Sequence, residues 1–430
     1  MKSLLLITPE NPGLKLYRQK QRNNFSQLTM PYLAGFVPDD FTIELVDEQY
    51  QDIPRKHFDL VGITVNTPNA PHAYRIASDF RSGGSRVVMG GPHVTLMPEE
   101  ATAHADTIFI GEAEETWVRF LNDFLHHKAE SVYQSLTAPE LKNLPVPRRD
   151  LLKMPKKTAG SVFATRGCSY NCSYCCLKSI YHTVFRSRPV REVIEDIRTI
   201  RSNFFVFWDD NFFNDHTYTK ELLKNLAPLG KRWAAQMTLA DCKDRELLDL
   251  AGKAGCIYLF IGLESFSNDS LIEVNKTINK VGEYSGIIRL IHHYGISIQA
   301  GIVFGFDSDT RETFSKTLRA CHNVKLDGIT PSILAPYPGT ELYNVLGSAG
   351  RLRSVGWSYY DSKTKVAFEP AGMGHEELLR GFNDFRKRFY SVPAIASRFF
   401  RRNPNRMYNL FLNLGYRRAD RHFMRNSKVR

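Results

Sequence analysis

Four of the seven cysteines lie within nine residues, in the segment Cys168-Ser-Tyr-Asn-Cys172-Ser-Tyr-Cys175-Cys176. Cysteines this close cannot all form disulfides without strain, because a disulfide needs a restricted separation between its two α-carbons. One short loop can, however, supply several thiolates to an iron–sulfur cluster. Cys168, Cys172 and Cys175 would ligate three irons of a [4Fe–4S] cluster and leave the fourth iron open for a substrate or cosubstrate. Cys176 is predicted to pack beside the cluster rather than to ligate it.

The alternative for this loop is a closed zinc site. Structural zinc sites usually combine one C-x2-C motif with a second one, or with two histidines further along the chain. The other three cysteines, Cys242, Cys256 and Cys321, are single and form no second pair. The spacing therefore favours a catalytic iron–sulfur cluster over structural zinc.

The spacing C-x3-C-x-aromatic-C, with Tyr174 at the aromatic position, resembles the cluster motif of the radical S-adenosylmethionine (SAM) superfamily. This resemblance implies a [4Fe–4S] cluster and SAM, with the amino and carboxylate groups of SAM on the open iron. It also implies SAM contacts in segments that follow along the chain. The implied contacts are Tyr174, Asp209, Asp210, Asn211, Glu264, Ser265, Gly301 and Val303.

These segments also have structural explanations. Acidic and amide oxygens at Asp209-Asp210-Asn211 suit the ammonium group of SAM, but Asp and Asn also form turns and cap helices. A carboxylate at Glu264 suits ribose hydroxyls, whereas Ser265 suits a helix cap. The order of the segments after the cysteines favours ligand binding.

Each of these segments follows a predicted strand in residues 158–345, where strand and helix alternate. Six parallel strands predict a partial (β/α)6 TIM-like barrel, whose site lies at the carboxyl ends of the strands. The predicted strands are Ser161–Thr165, Phe204–Trp208, Arg232–Met237, Ile257–Gly262, Ser297–Phe304 and Gly328–Leu334.

Residues 1–130 alternate strand and helix in the same way. This pattern predicts an α/β domain with a doubly wound, Rossmann-like parallel sheet, which binds ligands at the carboxyl ends of its strands. The predicted strands are Leu4–Thr8, Thr42–Asp47, Leu60–Val65, Arg86–Met89 and Thr107–Ile110, and the predicted helices lie near Gln27–Phe36, Pro71–Arg81 and Glu114–His126.

Two loops at these strand ends, Gly-Gly-Pro-His and Gly-Glu-Ala-Glu, resemble those of the cobalamin-binding domain that precedes many radical SAM domains. The D-x-H-x-x-G loop of other cobalamin enzymes is absent, so no histidine of that motif would ligate cobalt. The alternative is an empty Rossmann-like scaffold, since a fold alone does not carry function. The resemblance implies cobalamin contacts at Asn66, Thr67, Gly90, Gly91, His93, Thr95, Gly111 and Glu112.

The formal net charge of +12 is concentrated near the C-terminus. Residues 380–430 contain 14 Lys and Arg but only two acidic residues. A basic segment with interleaved aromatic and leucine residues fits an anionic membrane surface or nucleic acid. It also fits a helix packed on the barrel with a solvated basic face. We predict a linker over 131–157 and a helical, basic region over 346–430.

The sequence predicts a cytoplasmic location. No apolar run reaches the roughly 18 residues of a membrane span, and the short apolar run in MKSLLLITPENPG favours a first strand over a signal peptide. Clustered reduced thiols also favour the cytoplasm. Peripheral membrane association through the basic C-terminal region remains an alternative within this prediction.

Taken with the two resemblances, these features predict a cobalamin-dependent radical SAM C-methyltransferase. Its substrate would be an unactivated carbon of a hydrophobic small molecule such as a lipid, isoprenoid or tetrapyrrole, and its electron would come from an external one-electron reductant. The alternatives are a radical SAM cyclase or rearranging enzyme of tetrapyrrole or natural-product biosynthesis, an RNA-modifying radical SAM enzyme, and a non-enzymatic iron–sulfur RNA-binding or regulatory protein. The strand-end segments argue against the last alternative, because cluster binding alone does not need them.

Overall fold

The computed structural model describes residues 1–18, 25–155, 158–181, 184–401 and 403–426. Lys156 and Lys157 of the predicted linker lie outside the described residues. The same is true of Arg402 and residues 427–430 in the predicted basic region.

Six parallel strands form the first sheet. They are β1 (Lys2–Thr8), β2 (Phe41–Asp47), β3 (Leu60–Thr64), β4 (Arg86–Gly90), β5 (Thr107–Ile110) and β6 (Val132–Gln134). The order across the sheet is β2-β1-β3-β4-β5-β6. Alternate residues of β1 enter two separate cores, Leu5 and Ile7 on one face and Leu4 and Leu6 on the other. Both faces are therefore buried, which explains why these strands are continuous apolar runs.

Helices flank this sheet. They are α1 (Lys15–Arg18), α2 (Thr29–Ala34), α3 (Ala70–Ser82), α4 (Pro92–Leu96), α5 (Pro98–Thr102) and α6 (Glu114–Leu125). The structure confirms the predicted doubly wound domain and adds β6, which lies inside the segment predicted as a linker. That strand has three residues and buries only Tyr133, so it leaves almost no periodic signal in the sequence.

The second sheet also has six parallel strands. They are β7 (Gly160–Val162), β10 (Phe204–Phe207), β11 (Arg232–Met237), β12 (Cys256–Glu264), β13 (Ser297–Phe304) and β14 (Gly328–Ile333), and a short antiparallel pair, β8 (Thr165–Arg166) and β9 (Arg186–Ser187), follows β7. The order β14-β13-β12-β11-β10-β7 leaves β7 and β14 as edges, as in the predicted partial barrel. Ile298, Ala300 and Ile302 of β13 join the core under the helices, so the alternate residues Gly301 and Val303 lie on the opposite face of the strand.

Helices follow these strands and continue to the C-terminus. They are α7 (Leu177–Tyr181), α8 (Val190–Thr199), α9 (His216–Leu226), α10 (Arg245–Lys253), α11 (Asn268–Glu273), α12 (Tyr284–His293), α13 (Arg311–Asn323), α14 (Glu341–Ser348), α15 (His375–Phe389), α16 (Val392–Phe399) and α17 (Arg406–Asn426). Asp215, Asp244 and Thr340 begin α9, α10 and α14 by accepting a backbone N–H of the first turn at 3.0–3.2 Å. These caps fix where each strand-to-helix turn ends.

The C-terminal region is helical, as predicted. Helix α15 buries Leu378, Phe382, Phe385 and Phe389 against the barrel. Helix α17 contacts α1, α15, α16 and the edge strand β14. Across the described ranges, no helix combines the length and the hydropathy that crossing a bilayer requires.

Candidate active site

The cysteine segment forms the loop between β8 and α7 and contains four free, partly exposed thiols. Hydrogen bonds of 2.8–3.1 Å anchor this loop to regions that follow β10, β12 and β14. The anchoring residues are Asp210, Asn214, Val274, Asn275 and Leu342. The carboxyl ends of the barrel strands therefore hold the loop in place.

The chemistry of three of these thiols fits a cluster. Burial raises the pKa values of Cys168, Cys172 and Cys175, the last to about 12, and neighbouring thiols add to the rise at Cys168 and Cys175. Such thiols are protonated at neutral pH, so metal binding must release protons. Within the described part of the chain, no three His, Cys, Asp or Glu side chains lie at metal-binding distances.

Asp209 has a structural position. Its buried carboxylate accepts the backbone N–H of Ala164 at 3.0 Å and the hydroxyl of Thr165 at 2.6 Å, and it also accepts the Thr165 N–H. Burial raises its pKa to about 7. Asp209 thus fixes the turn that leads into the cysteine loop through its Oδ1, whereas its Oδ2 is buried without a hydrogen-bond partner among the described residues.

The two residues after Asp209 point to different places. Asn211 is buried, and its amide donates to the Asp241 carboxylate at 3.0 Å. Asp210 accepts the backbone N–H of Gly167, the residue immediately before Cys168, at 2.9 Å. Its side chain also lines a large cavity at the junction of the two domains. Of the three predicted residues, Asp210 is the one placed to reach a ligand.

Glu264 ends β12 with a left-handed backbone, φ 63°. Its carboxylate lies 2.5 Å from Lys276 Nζ, and the Tyr174 hydroxyl lies 3.4 Å from the same nitrogen. Burial opposes the charge of Lys276, but the Glu264 carboxylate outweighs it and raises the lysine pKa. The charge of Lys276 also acts on the Cys172 thiol. The predicted Glu264 and Tyr174 are therefore brought together beside the cysteine loop by a lysine that no sequence motif identified.

The predicted contacts on β13 lie on the inner face of the sheet. Gly301 pairs in register with Gly262 of β12. A Cβ on Gly301 would lie 3.2 Å from the Phe260 ring, and one on Gly262 would lie 2.3 Å from the Glu264 carboxylate. The two glycines leave the sheet surface open beside Glu264, and the partly exposed Val303 borders the same face.

Ser265 is placed in the turn after β12. It is buried, and its hydroxyl accepts the N–H of Ser267 at 3.1 Å. Ser267 itself caps α11. The structure thus gives Ser265 a local hydrogen bond within the chain rather than an open side chain at the site.

A cavity of about 750 Å³ lies between the carboxyl edge of the first sheet and the first strands of the barrel. Its volume is in the upper range of small-molecule pockets. Barrel residues including Phe163, Tyr181 and Asp210 form one side of it. Six of the eight predicted cobalamin contacts line the cavity: Asn66, Gly90, Gly91, Thr95, Gly111 and Glu112.

The other two, His93 and Thr67, lie outside the cavity wall. The His93 ring is fully buried and packs edge-on against Trp357 at 5.2 Å. Its Nδ1 lies 3.2 Å from the Thr67 hydroxyl and its Nε2 lies 3.5 Å from Glu100. Burial lowers the pKa of His93, so the ring is neutral and joins the C-terminal region to the first domain. The sequence could not show this, because Trp357 is distant along the chain.

The cavity wall fits cobalamin by its shape and its polar atoms. Gly91 has φ 104°, and a Cβ there would lie 2.9 Å from the Thr64 hydroxyl, so the backbone stays uncovered. Asp47 Oδ2, Glu114 Oε2 and Asn11 Nδ2 are buried without a hydrogen-bond partner among the described residues. Buried polar atoms need such partners, and the amide side chains of cobalamin can supply them.

Ion pairs across the junction of the two domains were not predicted. Arg166, just before the cysteine loop, contacts Glu112 at 2.7 Å and Glu114 at 2.5 Å. Arg186 contacts the other oxygen of Glu112 at 2.6 Å. Glu112 therefore serves the domain junction as well as the cavity wall. In the sequence these arginines lie in segments that resemble strands, and no pattern marks them as ion-pair partners across the domain junction.

Trp208 is a second residue that the sequence did not identify. It follows β10 and lines the cavity, and its side chain is 51% exposed. Its Nε1 donates to Ser161 at 2.8 Å, and its ring meets Phe25 edge-on at 5.6 Å. The indole is therefore held in a fixed position with a large apolar surface free at the junction.

Comparison with known proteins agrees with this geometry. The B12-binding domain model matches residues 27–121, and the radical SAM superfamily model matches residues 162–321. The chain is 32% identical over 385 residues to bacteriochlorophyllide d C-12(1)-methyltransferase of Chlorobaculum tepidum, covering 86% of this chain and 84% of that relative. The chain belongs to the radical SAM superfamily. Within this superfamily it is also 27% identical to bacteriochlorophyllide d C-8(2)-methyltransferase of the same organism, covering 91% of each.

A more distant relative and two solved structures extend the comparison. Hopanoid C-2 methylase of Rhodopseudomonas palustris is 24% identical, covering 85% of this chain and 71% of the relative. The cobalamin-dependent SAM radical enzyme OxsB has the same fold, with a TM-score of 0.70, 15% identity, and coverage of 99% of this chain and 72% of that one. The radical SAM methyltransferase TsrM from Kitasatospora setae gives a TM-score of 0.65 at 17% identity, covering 82% and 79%.

These findings confirm the predicted fold class and the three predicted cofactors. A radical SAM domain uses a [4Fe–4S] cluster and SAM, and the B12-binding domain binds cobalamin. The protein is therefore an enzyme, and the alternatives of an empty scaffold and of a non-enzymatic iron–sulfur protein are excluded.

Proposed function

We propose that this enzyme transfers a methyl group from SAM, through cobalamin, to an unactivated carbon of a hydrophobic small molecule. The proposal rests on Asp210, whose side chain lines the cavity and also accepts a hydrogen bond from the backbone next to Cys168. A cofactor in the cavity would thus lie close to the cysteine loop. The methyltransferase relatives support the same reaction.

The chain would divide the work among its own residues. Cys168, Cys172 and Cys175 would hold the cluster, and Glu264, held in place by its contact with Lys276, would orient the ribose of SAM. When bound, the cluster and SAM supply a radical that removes a hydrogen atom from the substrate, and cobalamin supplies the methyl group. The protein positions the reacting groups and excludes water from them.

Trp208 is the surface on which we place the substrate. A fixed, half-exposed indole between two cofactor sites can stack against a flat or extended apolar molecule. Phe163 and Ile180 add further apolar side chains to the wall of the same cavity. Both features suit a tetrapyrrole, isoprenoid or lipid, the substrate classes named for the relatives.

Two further parts of the proposal concern partners. The cysteines outside the loop, Cys242, Cys256 and Cys321, are single and buried, so the electron would come from an external one-electron reductant. A hydrophobic substrate partitions into membranes, so the enzyme would work at a membrane surface. Nucleic acid would not be its substrate.

Labelled SAM tests the proposal. The protein is reconstituted anaerobically with iron, sulfide and cobalamin, and is given a reductant, bacteriochlorophyllide d and SAM with a deuterated methyl group. We expect the product to gain the labelled methyl, with 5′-deoxyadenosine and S-adenosylhomocysteine forming in equal amounts. A cyclised or rearranged product without label would indicate the cyclase alternative. Label in RNA that is added to a parallel reaction would indicate the RNA-modifying alternative. Either result would contradict the proposal.

A further inference from the structure

Along its first half, helix α17 packs polar residues inward and leaves large apolar residues exposed. Its buried residues include Asn409, Asn413 and Asp420, whereas Phe411 and Tyr408 are 54% and 47% exposed. Amphipathic helices of globular proteins normally place the apolar face toward the core. The exposed apolar side chains of α17 are therefore a candidate surface for a partner outside the chain.

Specific hydrogen bonds and an ion pair fix this orientation. Asn409 Nδ2 donates to the Asp327 carboxylate at 3.2 Å, and Asn413 Nδ2 donates to the Asp327 carbonyl at 3.0 Å. Further along, Asp420 forms a buried ion pair with Arg386 of α15. Rotating the helix to bury its apolar side would break all of these contacts. The exposed apolar side is thus imposed by the fold.

The exposed apolar residues form one continuous strip, which we call the apolar ridge. It consists of Met407, Tyr408, Phe411 and Leu414, each 43–54% exposed. Residues spaced by three, four and seven positions share one side of a helix. A contiguous apolar surface of this kind marks an interaction site.

The charges around the ridge are positive. Arg406, Arg418, Arg421 and Arg425 of α17 are exposed. The sole acidic residue of α17 is Asp420, which is buried against Arg386. The surface therefore combines apolar side chains with arginines that form no ion pair among the described residues, the composition of helices that lie in the interface of an anionic bilayer.

We propose that α17 binds the surface of an anionic membrane, with the apolar ridge inserted among the acyl chains and the arginines on the phosphate headgroups. Three of the four ridge side chains, those of Met407, Phe411 and Leu414, are wholly apolar, which suits acyl chains better than the stacked bases of nucleic acid. The role we give to membrane binding, access to a hydrophobic substrate, rests on the proposed function. The binding itself does not depend on the substrate.

Helix α17 also lies close to the cavity through α1. On its other side, α17 packs Ala419 and Phe423 against Tyr17 of α1. The neighbouring Leu14 and Arg18 line the cavity. The short segment 14–18 therefore contacts both α17 and the cavity, from the side of α17 that faces the protein.

Vesicle binding tests the inference. The full-length, cofactor-loaded enzyme is sedimented with phosphatidylcholine vesicles, with and without phosphatidylglycerol. We expect binding that requires the anionic lipid and weakens with salt. The double variant Phe411→Ser/Leu414→Ser should bind about tenfold or more weakly, because two apolar side chains no longer leave water. Ile272→Ser, which changes a 64% exposed residue of α11, is the matched control and should bind like the unchanged protein.

Three results would overturn the inference: no binding to anionic vesicles, equal binding by the double variant, or a second copy seated on the ridge. A ridge-dependent dimer in light scattering would show the last of these. Release of 5′-deoxyadenosine from SAM is measured in parallel and should be unchanged in the double variant. Failure of membrane binding with intact SAM cleavage would therefore leave the proposed function standing.

Discussion

At the scale of single residues, Cys176 differs from the other cysteines of the loop by starting a helix. Its carbonyl accepts the N–H groups of Ser179 and Ile180 at 3.0 and 3.1 Å. The remaining three thiols precede that helix. This difference separates a residue that shapes the loop from the three that would hold the cluster.

Alanine substitutions test that division. Cys168→Ala, Cys172→Ala and Cys175→Ala should each abolish 5′-deoxyadenosine formation, because a [4Fe–4S] cluster with one open iron needs all three thiolates. Cys176→Ala is the control and should retain cluster and activity. Iron content and SAM cleavage are measured for all four variants. Loss of the cluster in the Cys176 variant would show that the ligands are misassigned.

The buried pair of Glu264 and Lys276 gives a prediction on stability. Lys276→Met leaves the Glu264 carboxylate buried without its partner, which costs on the order of 3–5 kcal/mol. The apparent melting temperature should fall clearly, and Glu264→Gln added to it should restore most of the loss. Lys253→Met removes an exposed pair with Asp249 and should change stability by less than about 1 kcal/mol. A double variant no more stable than Lys276→Met would contradict the assignment.

Substitution of Trp208 should reduce the formation of methylated product but not the formation of the radical. Trp208→Ala removes the apolar surface for the substrate but leaves the cluster loop and Glu264 in place. We expect 5′-deoxyadenosine to form at near-normal rate while methylated product falls about tenfold or more. Equal loss of both would mean that Trp208 supports the SAM site instead. Val345→Ala, at an exposed residue of α14, is the control.

At the scale of elements, the junction depends on arginines from β8 and β9 that meet Glu112 after β5. These side chains are largely buried, so removing one partner leaves charges uncompensated. The same carboxylate lines the cavity. The loop after β5 therefore couples the orientation of the domains to the shape of the cofactor site.

Glu112→Gln should loosen this junction. We expect cobalamin affinity to fall about tenfold or more, and proteolysis in the segment 135–155 to become faster, because Arg166 and Arg186 lose a charged partner. Absorption titration with cobalamin and limited proteolysis measure the two effects. Asp150→Asn, in an exposed pair with Arg148, should change neither. Unchanged cobalamin affinity in Glu112→Gln would contradict the coupling.

The elements themselves are largely predictable from the sequence. Buried parallel strands such as β1 and β13 are apolar runs bounded by polar turns, so periodicity and composition identify them. The three-residue β6 escapes prediction because it has no such run. The spacing of the cysteines is sufficient to predict a cluster loop. Side-chain direction is not predictable, since Asp209 and His93 lie in the expected loops but turn into local packing.

At the scale of the whole molecule, two α/β domains place the carboxyl ends of their strands against each other. The cavity between them is lined by the first domain and by Arg166, Trp208 and Asp210 of the barrel. Neither domain alone encloses this volume. Reaction specificity thus depends on the junction, which the sequence of each domain cannot reveal.

The most direct measurement combines metal analysis with SAM cleavage. The anaerobically reconstituted protein is analysed for iron, sulfide, zinc and cobalamin, and is then incubated with a reductant and SAM. We predict about four irons per chain, bound cobalamin, and 5′-deoxyadenosine that disappears in the Cys172→Ala variant. A zinc-filled loop, or a fully cluster-loaded protein that never forms 5′-deoxyadenosine from SAM, would contradict the account.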